Sequence, residues 1–390
     1  MDQTETALLQ ILSVALAGDR VSPDALPAHT DWLALSRLAA AHKLLPLIFS
    51  ALPVREIPEM QAQKNGILRQ VASQTQRTEG FLALYRDMEE AGFHPLVVKG
   101  ILCRSLYPQG DLRPSSDEDL FVPEEEFAGC FRFLEERGFI PTGSPENFEI
   151  GWRRGNLYIE LHRCLFSPDS AWGDLNRYFA AEGTAYTVEA GSRIRSLCPH
   201  DHMLYLLLHA YKHFLYSGFG IRQICDIGLW ARQYQQEIRW DLLAEQCREC
   251  RAMGFAAAVL GICDRQLQIG LALPPDWQTE DAYCLPLLED VLTGGIYGSA
   301  TDDRLHSANV TLSAVDTDRT GKRTGLLASL FPGRRSLEDR YPYLKQYPAL
   351  LPLAWGQRIR RYLKGRRNPA ESLTLGKERV ALLRHYGIIR

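Results

Sequence analysis

The sequence predicts an α+β fold: a small mixed β-sheet flanked by helical regions on its N-terminal and C-terminal sides. Three observations carry that expectation. Apolar residues recur at three- and four-residue spacing through the first ninety positions, the pattern changes to short alternating runs between 92 and 166, and helical periodicity returns beyond about residue 170. The expected organisation is therefore a helical region at 1–91, an α/β core at 92–166, a helical domain at 167–293, and a mobile loop with a basic C-terminal segment at 294–390.

The elements follow in order. Helices are expected over 3–17, 31–52 and 57–91, with Ser22-Pro23 and Ile57-Pro58 as breaks and Ala91-Gly92 as the last stop. Strands are expected at His94–Lys99, Asp119–Val122, Phe148–Trp152 and Leu157–His162, with helices at 100–107 and 123–137. Gly155-Asn156 reads as a two-residue hairpin turn, and Pro123-Glu-Glu-Glu126 as a helix start with acids at the positive end of the dipole. Further helices are expected at 199–216, 221–237, 239–252, 254–272 and 280–293. Between Gly294 and Gly325 the chain turns to Gly, Thr, Ser and Asp, the composition of a long loop or lid.

Composition excludes several classes. With 46% hydrophobic and 23% charged residues in 390, the chain has the make-up of a globular protein with a substantial core, and no apolar run approaches a membrane span. The acidic start Met1-Asp-Gln-Thr-Glu5 is unlike a secretory signal, and nine cysteines, an odd number set mostly in apolar stretches, are expected to be reduced thiols. A cytoplasmic location is the expectation. Cys247 and Cys250 have C-x-x-C spacing without a second pair nearby, so zinc is not expected there.

The chemistry is concentrated in Arg113-Pro-Ser-Ser-Asp117-Glu-Asp119-Leu-Phe-Val122. In a strand, Asp117 and Asp119 would share one face and could hold a divalent metal, and Glu160 in Tyr158-Ile-Glu160-Leu-His162 offers a third carboxylate from a second strand. His162 shares the face of Glu160, either to orient that carboxylate, to touch substrate, or as a hydrogen-bonded core histidine. Pro95-Leu-Val-Val-Lys99-Gly100 reads as a strand ending in a glycine turn into a helix, a geometry that presents backbone N–H groups to phosphate. Lys99 is a candidate phosphate ligand. Arg113 would bind a γ-phosphate or pair with a site carboxylate. His209 and His213 stand at i, i+4, but without the Glu that H-E-x-x-H requires, and Asp226 in an apolar helix reads as a structural hydrogen-bonding partner.

With these residues in hand, the chain resembles the nucleotidyltransferase superfamily of polymerase-β-like fold, and within it the bacterial proteins described as uncharacterised nucleotidyltransferases. The likeness rests on Val97-Val-Lys99-Gly100, Tyr107, the 113–122 run, Glu160-Leu-His162, His209-Ala-Tyr-Lys-His213, Asp226, Arg335–Tyr343 and Leu351-Pro-Leu-Ala-Trp355. It implies Mg²⁺-dependent transfer, with two ions expected, of a nucleoside monophosphate from an NTP to an acceptor hydroxyl. Asp117, Asp119 and Glu160 would be metal ligands and catalytic acids, while Lys99, Gly100, Arg113 and His162 would contact the nucleotide. Where the wider superfamily carries Gly-Ser or Gly-Gly at the phosphate turn, this chain has Gly100-Ile101, so backbone amides and Lys99 must substitute. That departure motivates the alternative expectation, a non-catalytic nucleotide-binding or scaffold module.

From Arg319 to Arg367 the chain carries thirteen Lys/Arg against Glu338 and Asp339, interleaved with Tyr and Trp. Such a segment suits a phosphate-rich partner, although a solvated surface is the favoured reading over nucleic acid. Pro342, Pro348 and Pro352 argue against a continuous membrane-surface helix.

Overall fold

The computed structural model describes residues 1–22, 26, 30–144, 146–168, 170, 172–179, 183–188, 191–216, 218–294, 337, 341, 343–365 and 378–389. The loop expected over 294–325 and much of the basic segment lie outside these residues.

Four helices open the chain: α1 (Gln3–Ala17), α2 (Trp32–Ala41), α3 (Leu45–Ala51) and α4 (Pro58–Glu90). Local signals start them. Asp2 accepts the Glu5 N–H while the Glu5 carboxylate accepts the Asp2 N–H, a reciprocal cap on α1, and Asp31 accepts the Ala34 N–H at the start of α2. Pro58 occupies the first turn of α4, where its missing N–H costs nothing. The helix runs 33 residues and buries Phe81, Leu82, Tyr85 and Met88 toward its C-terminal end.

The core follows as β1 (Leu96–Val98), α5 (Gly100–Arg104), β2 (Glu118–Phe121), α6 (Glu124–Glu136), β3 (Ile140–Pro141), β4 (Glu149–Arg154) and β5 (Leu157–His162). The sheet order is β1-β2-β5-β4-β3, with β2 and β5 parallel and every other pair antiparallel, so the sheet is mixed as expected. Arg154 pairs with Leu157 across Gly155-Asn156, and Gly155 takes a φ of +59°, which is the positive φ that a tight hairpin demands. Side chains alternate across β5: Leu157, Ile159 and Leu161 enter the apolar core, while Tyr158, Glu160 and His162 take the other face.

Beyond the sheet lies a two-stranded ribbon absent from the sequence expectations, β6 (Thr184–Thr187) with β7 (Arg193–Ser196), whose β7 end lies against β1. Then come α7 (Pro199–Tyr216), α8 (Ile221–Tyr234), α9 (Trp240–Glu249), α10 (Met253–Gly261) and α11 (Asp281–Gly294), close to the expected windows. One continuous buried core runs from Ala7 through the sheet and these helices to Ile389. Two further helices, α12 (Tyr343–Gln346) and α13 (Leu351–Gly365), contribute Leu344 and Ala354 to a small separate cluster with Leu337 and Tyr341. Among the described residues, no helix is long and apolar enough to cross a membrane.

Candidate active site

The central strands β2 and β5 set the acids by register. Asp119 pairs with Glu160 across the parallel ladder and with Val98 across the antiparallel one, so its backbone is held on both sides. His162, two residues beyond Glu160, stands on the same face. One donor atom from each of Asp119, Glu160 and His162 lies within 4.8 Å of the others; among the described residues this is the one group whose spacing could hold a metal ion.

Asp117 differs from its expected place in a strand. The strand β2 begins at Glu118, the first residue to pair with β5 (Ile159), and neither ladder reaches residue 117. Its carbonyl instead accepts the Ser115 hydroxyl at 2.6 Å. Asp117 nevertheless lines the same cavity as Asp119, Glu160 and His162. That cavity, of about 530 Å³, is also bordered by Lys43, Tyr205, Lys212 and Arg222.

Lys99 and Gly100 form a strained turn at its edge. Lys99 has φ +59° and ψ −129°, a region that costs a side-chain-bearing residue energy, and Gly100 follows at φ +41°. Four contacts hold Lys99 there. Its N–H donates to His202 Nε2 at 3.1 Å, its carbonyl accepts the Leu102 N–H at 3.0 Å, and its ammonium lies 3.1 Å from Asp119 Oδ2 and 3.2 Å from His209 Nε2. Behind the turn, Glu118 points to the opposite face from Asp119. Its carboxylate accepts the Ile101 N–H at 2.8 Å and the fully buried Arg104 guanidinium at 2.5 Å. A Cβ on Gly100 would stand 2.0 Å from Glu118 Oε2, so glycine is needed for contact as well as for φ. The Ile101 amide, expected as a phosphate donor, is thus already engaged by a carboxylate.

Arg113 lines the same cavity but pairs with a fourth carboxylate, not with the three acids. It grips Asp226 of α8 with two hydrogen bonds, 2.7 and 2.6 Å, and Tyr107 donates to the same carboxylate at 2.8 Å. A longer contact, 3.5 Å, ties the Arg113 guanidinium to the Gly100 carbonyl and so to the turn. Arg222 donates to the Pro114 carbonyl on the strap leading to Asp117.

Electrostatics divide the site. Burial opposes the Asp119 carboxylate, but Lys99 and His162 outweigh it and hold its pKa far below the usual range. Burial likewise opposes the Lys99 ammonium and loses to Asp119, leaving Lys99 well above its ordinary value. His162, also disfavoured by burial, is pushed up to about 9 by its bonds to Asp119 at 3.2 Å and to Glu160. Glu160 moves the other way: burial first, then Asp119, Asp117 and Glu149, raise it against the pull of His162. On α7, burial followed by Lys99 drives His209 well below its ordinary value and His213 down to about 3. The two rings meet at 3.2 Å. Cys247 and Cys250 are both free and buried.

Sequence reasoning did not single out Lys43, Tyr205, Lys212 or Arg222. Lys212 lies within the His209–His213 run that was noticed, whereas the other three carry no local signal.

Fold and site together define a sheet-borne acidic centre in a cavity lined by carboxylates and cations alike. A family model described as uncharacterised nucleotidyltransferase matches residues 28–268, more than half of the chain, so this protein belongs to that family. Comparisons with curated proteins and with solved structures return no match.

Proposed function

We propose that this protein is a Mg²⁺-dependent nucleotidyltransferase that moves a nucleoside monophosphate from an NTP to an acceptor hydroxyl on a small molecule, a peptide or protein, or RNA. The observation that carries the reading is the register pair Asp119–Glu160, facing a cavity whose volume of about 530 Å³ lies in the range of small-molecule sites. The donor set fits a hard divalent cation, because carboxylate oxygens from neighbouring strands converge and the acids that raise Glu160 leave negative charge for a cation to relieve. Asp119 and Glu160, with Asp117 lining the same cavity, would hold one or two ions. When bound, Mg²⁺ neutralises the triphosphate and polarises the α-phosphate.

The chain's own residues supply the rest. Glu160, with its raised pKa, accepts the proton of the acceptor hydroxyl. The acceptor oxygen forms a bond to the α-phosphorus as the bond from that phosphorus to the bridging oxygen breaks, and pyrophosphate leaves. Lys99 and His162 hold Asp119 in place. The Gly100 turn, steadied by Arg113, borders the phosphates, and Lys212 and Arg222 offer positive charge to the departing pyrophosphate. Nine free cysteines suit a reducing, cytoplasmic setting.

Incubation with labelled NTPs and Mg²⁺, with wild type and Asp119→Asn compared, tests the proposal. Label transfer that needs both Mg²⁺ and Asp119 is the expected result. The capture of Asp119 by Lys99 and of the Ile101 amide by Glu118 favours one alternative, a module that binds nucleotide without transferring it. NTP-dependent thermal stabilisation with no transfer to any offered acceptor selects that module.

A further inference from the structure

A second cavity of about 510 Å³ lies beside the first, between the α2–α3 turn, one face of α4 and the strap of residues 114–116. Lys43, Ser115 and Ser116 line both cavities. Along α4 the wall is built at helical spacing by Gly66, Arg69, Ser73 and Arg77, and Gly66 opens it, with no atom within 4 Å of where a Cβ would stand.

The lining holds three cations and no carboxylate. Three cations of the sheet and its strap face a carboxylate: Arg104 meets Glu118, Arg113 meets Asp226 and Lys99 meets Asp119. Here the half-buried Lys43 and Arg77 meet neutral partners. Lys43 donates to Ser116 Oγ at 2.7 Å and Arg77 to Gln74 Oε1 at 2.9 Å, and Arg77 Nε is buried without a hydrogen-bond partner. Among the described residues, none of Lys43, Arg69 and Arg77 forms an ion pair. Burial, followed for Lys43 by Arg222 and for Arg77 by Arg104, lowers the pKa of both against the weaker pull of Asp117 on Lys43 and of Glu118 on Arg77. An ordinary solvated helix face would expose Arg77 and leave its Nε to water.

We infer that the Lys43–Arg69–Arg77 cavity is a binding site for a phosphate or polyphosphate group. Two guanidinium forks, an ammonium and the hydroxyls of Ser73 and Ser116 match a multiply charged oxyanion better than a single carboxylate. Two sources share this chemistry: the distal phosphates of the NTP, and an anionic group on the acceptor. That the bound anion takes part in transfer rests on the proposed function; the existence of the site does not.

The probe is inorganic pyrophosphate, titrated calorimetrically into the full chain without divalent metal at fixed ionic strength. Wild type is expected to bind it, Arg69→Gln/Arg77→Gln at least tenfold more weakly, and Arg248→Gln, an exposed arginine that lines neither cavity, unchanged. Arg69→Gln alone, at an exposed position, serves as a variant that leaves the fold intact and is expected to weaken binding in the same direction. Absence of binding to wild type, or equal binding by the arginine variants, overturns the inference. If saturating ATP abolishes the pyrophosphate titration while AMP does not, the site takes the nucleotide's own phosphates; if pyrophosphate still binds beside saturating ATP, it takes the acceptor's. Retained pyrophosphate binding in a protein that never transfers nucleotide would overturn the transferase reading alone.

Discussion

Lys99 and Asp119 form an ion pair at 3.1 Å across neighbouring strands, the ammonium largely and the carboxylate almost wholly withdrawn from solvent. Removing one partner of such a pair strands the other's charge in a poor dielectric. Lys99→Met is therefore expected to lower stability by about 3–5 kcal/mol, and Lys99→Met/Asp119→Leu to recover most of that loss. Nucleotide transfer should stay absent in the double variant. Urea titrations beside the transfer assay separate the two effects; a Lys99→Met loss below about 1 kcal/mol would show that the pair does not hold the site together.

Arg113 and Asp226 join the strap before β2 to α8, 113 positions apart. Burial opposes the Asp226 carboxylate, yet Arg113, Arg222 and Tyr107 hold its pKa below the usual range. Asp226→Asn should destabilise the chain by about 3–5 kcal/mol, since it leaves a buried guanidinium unneutralised. Arg113→Lys is expected to recover little, because an ammonium does not reproduce the two-pronged grip. Thermal unfolding of the three proteins is the check, and equal melting temperatures would refute it.

Gly100→Ala should cost about 1–3 kcal/mol, as expected for a side chain forced into filled space. The added Cβ meets Glu118 Oε2 at 2.0 Å and the residue sits at φ +41°. Glu118→Ala in the same chain would clear the steric clash but abandon Arg104. Chemical denaturation of Gly100→Ala tests this; unchanged stability would mean that the turn relaxes freely.

Acid should weaken the metal-free protein below about pH 6.5. His202, tilted against Trp230 with ring centroids 4.0 Å apart and accepting the Lys99 N–H, has its pKa lowered by burial to about 3, as has His213, and His209 moves the same way. Each of these rings takes up a proton more readily unfolded than folded. The stability they contribute is complete above 6.5 and is lost as the pH falls toward 3, at about 1.4 kcal/mol per pH unit per proton. His162 has the opposite sense: raised to about 9, it stabilises fully below 6.5 and loses that contribution as the pH rises through 9. Denaturation from pH 4 to pH 10 should show a maximum near 6.5, and a profile flat below that point would contradict the neutral, buried state of the α7 histidines.

Much of this was readable beforehand. The long helices announced themselves through apolar spacing, and the β5 run displayed Glu160 and His162 on one face because a strand has period two. The 113–122 run gave the acids but not their division: Asp119 enters the cavity, Glu118 turns back to brace Arg104, and Asp117 lies one residue before the ladder with β5 begins. The β6–β7 ribbon escaped notice since its four-residue strands alternate too briefly to stand out. Arg113 with Asp226, and Arg77 with the strap, are encounters across long sequence separation that no local pattern encodes. Spacing along α4 identifies a stripe, and only the fold says what the stripe confronts.

Fastening Asp119 through ladder partners on both sides makes the centre of the sheet the least adaptable ground in the molecule. Accommodation of a new acceptor has to come from the rim, from α4, α7, α8 and the strap, whose side chains can change without breaking a strand. Relatives that modify different molecules should therefore diverge along those walls while the middle of the sheet stands still.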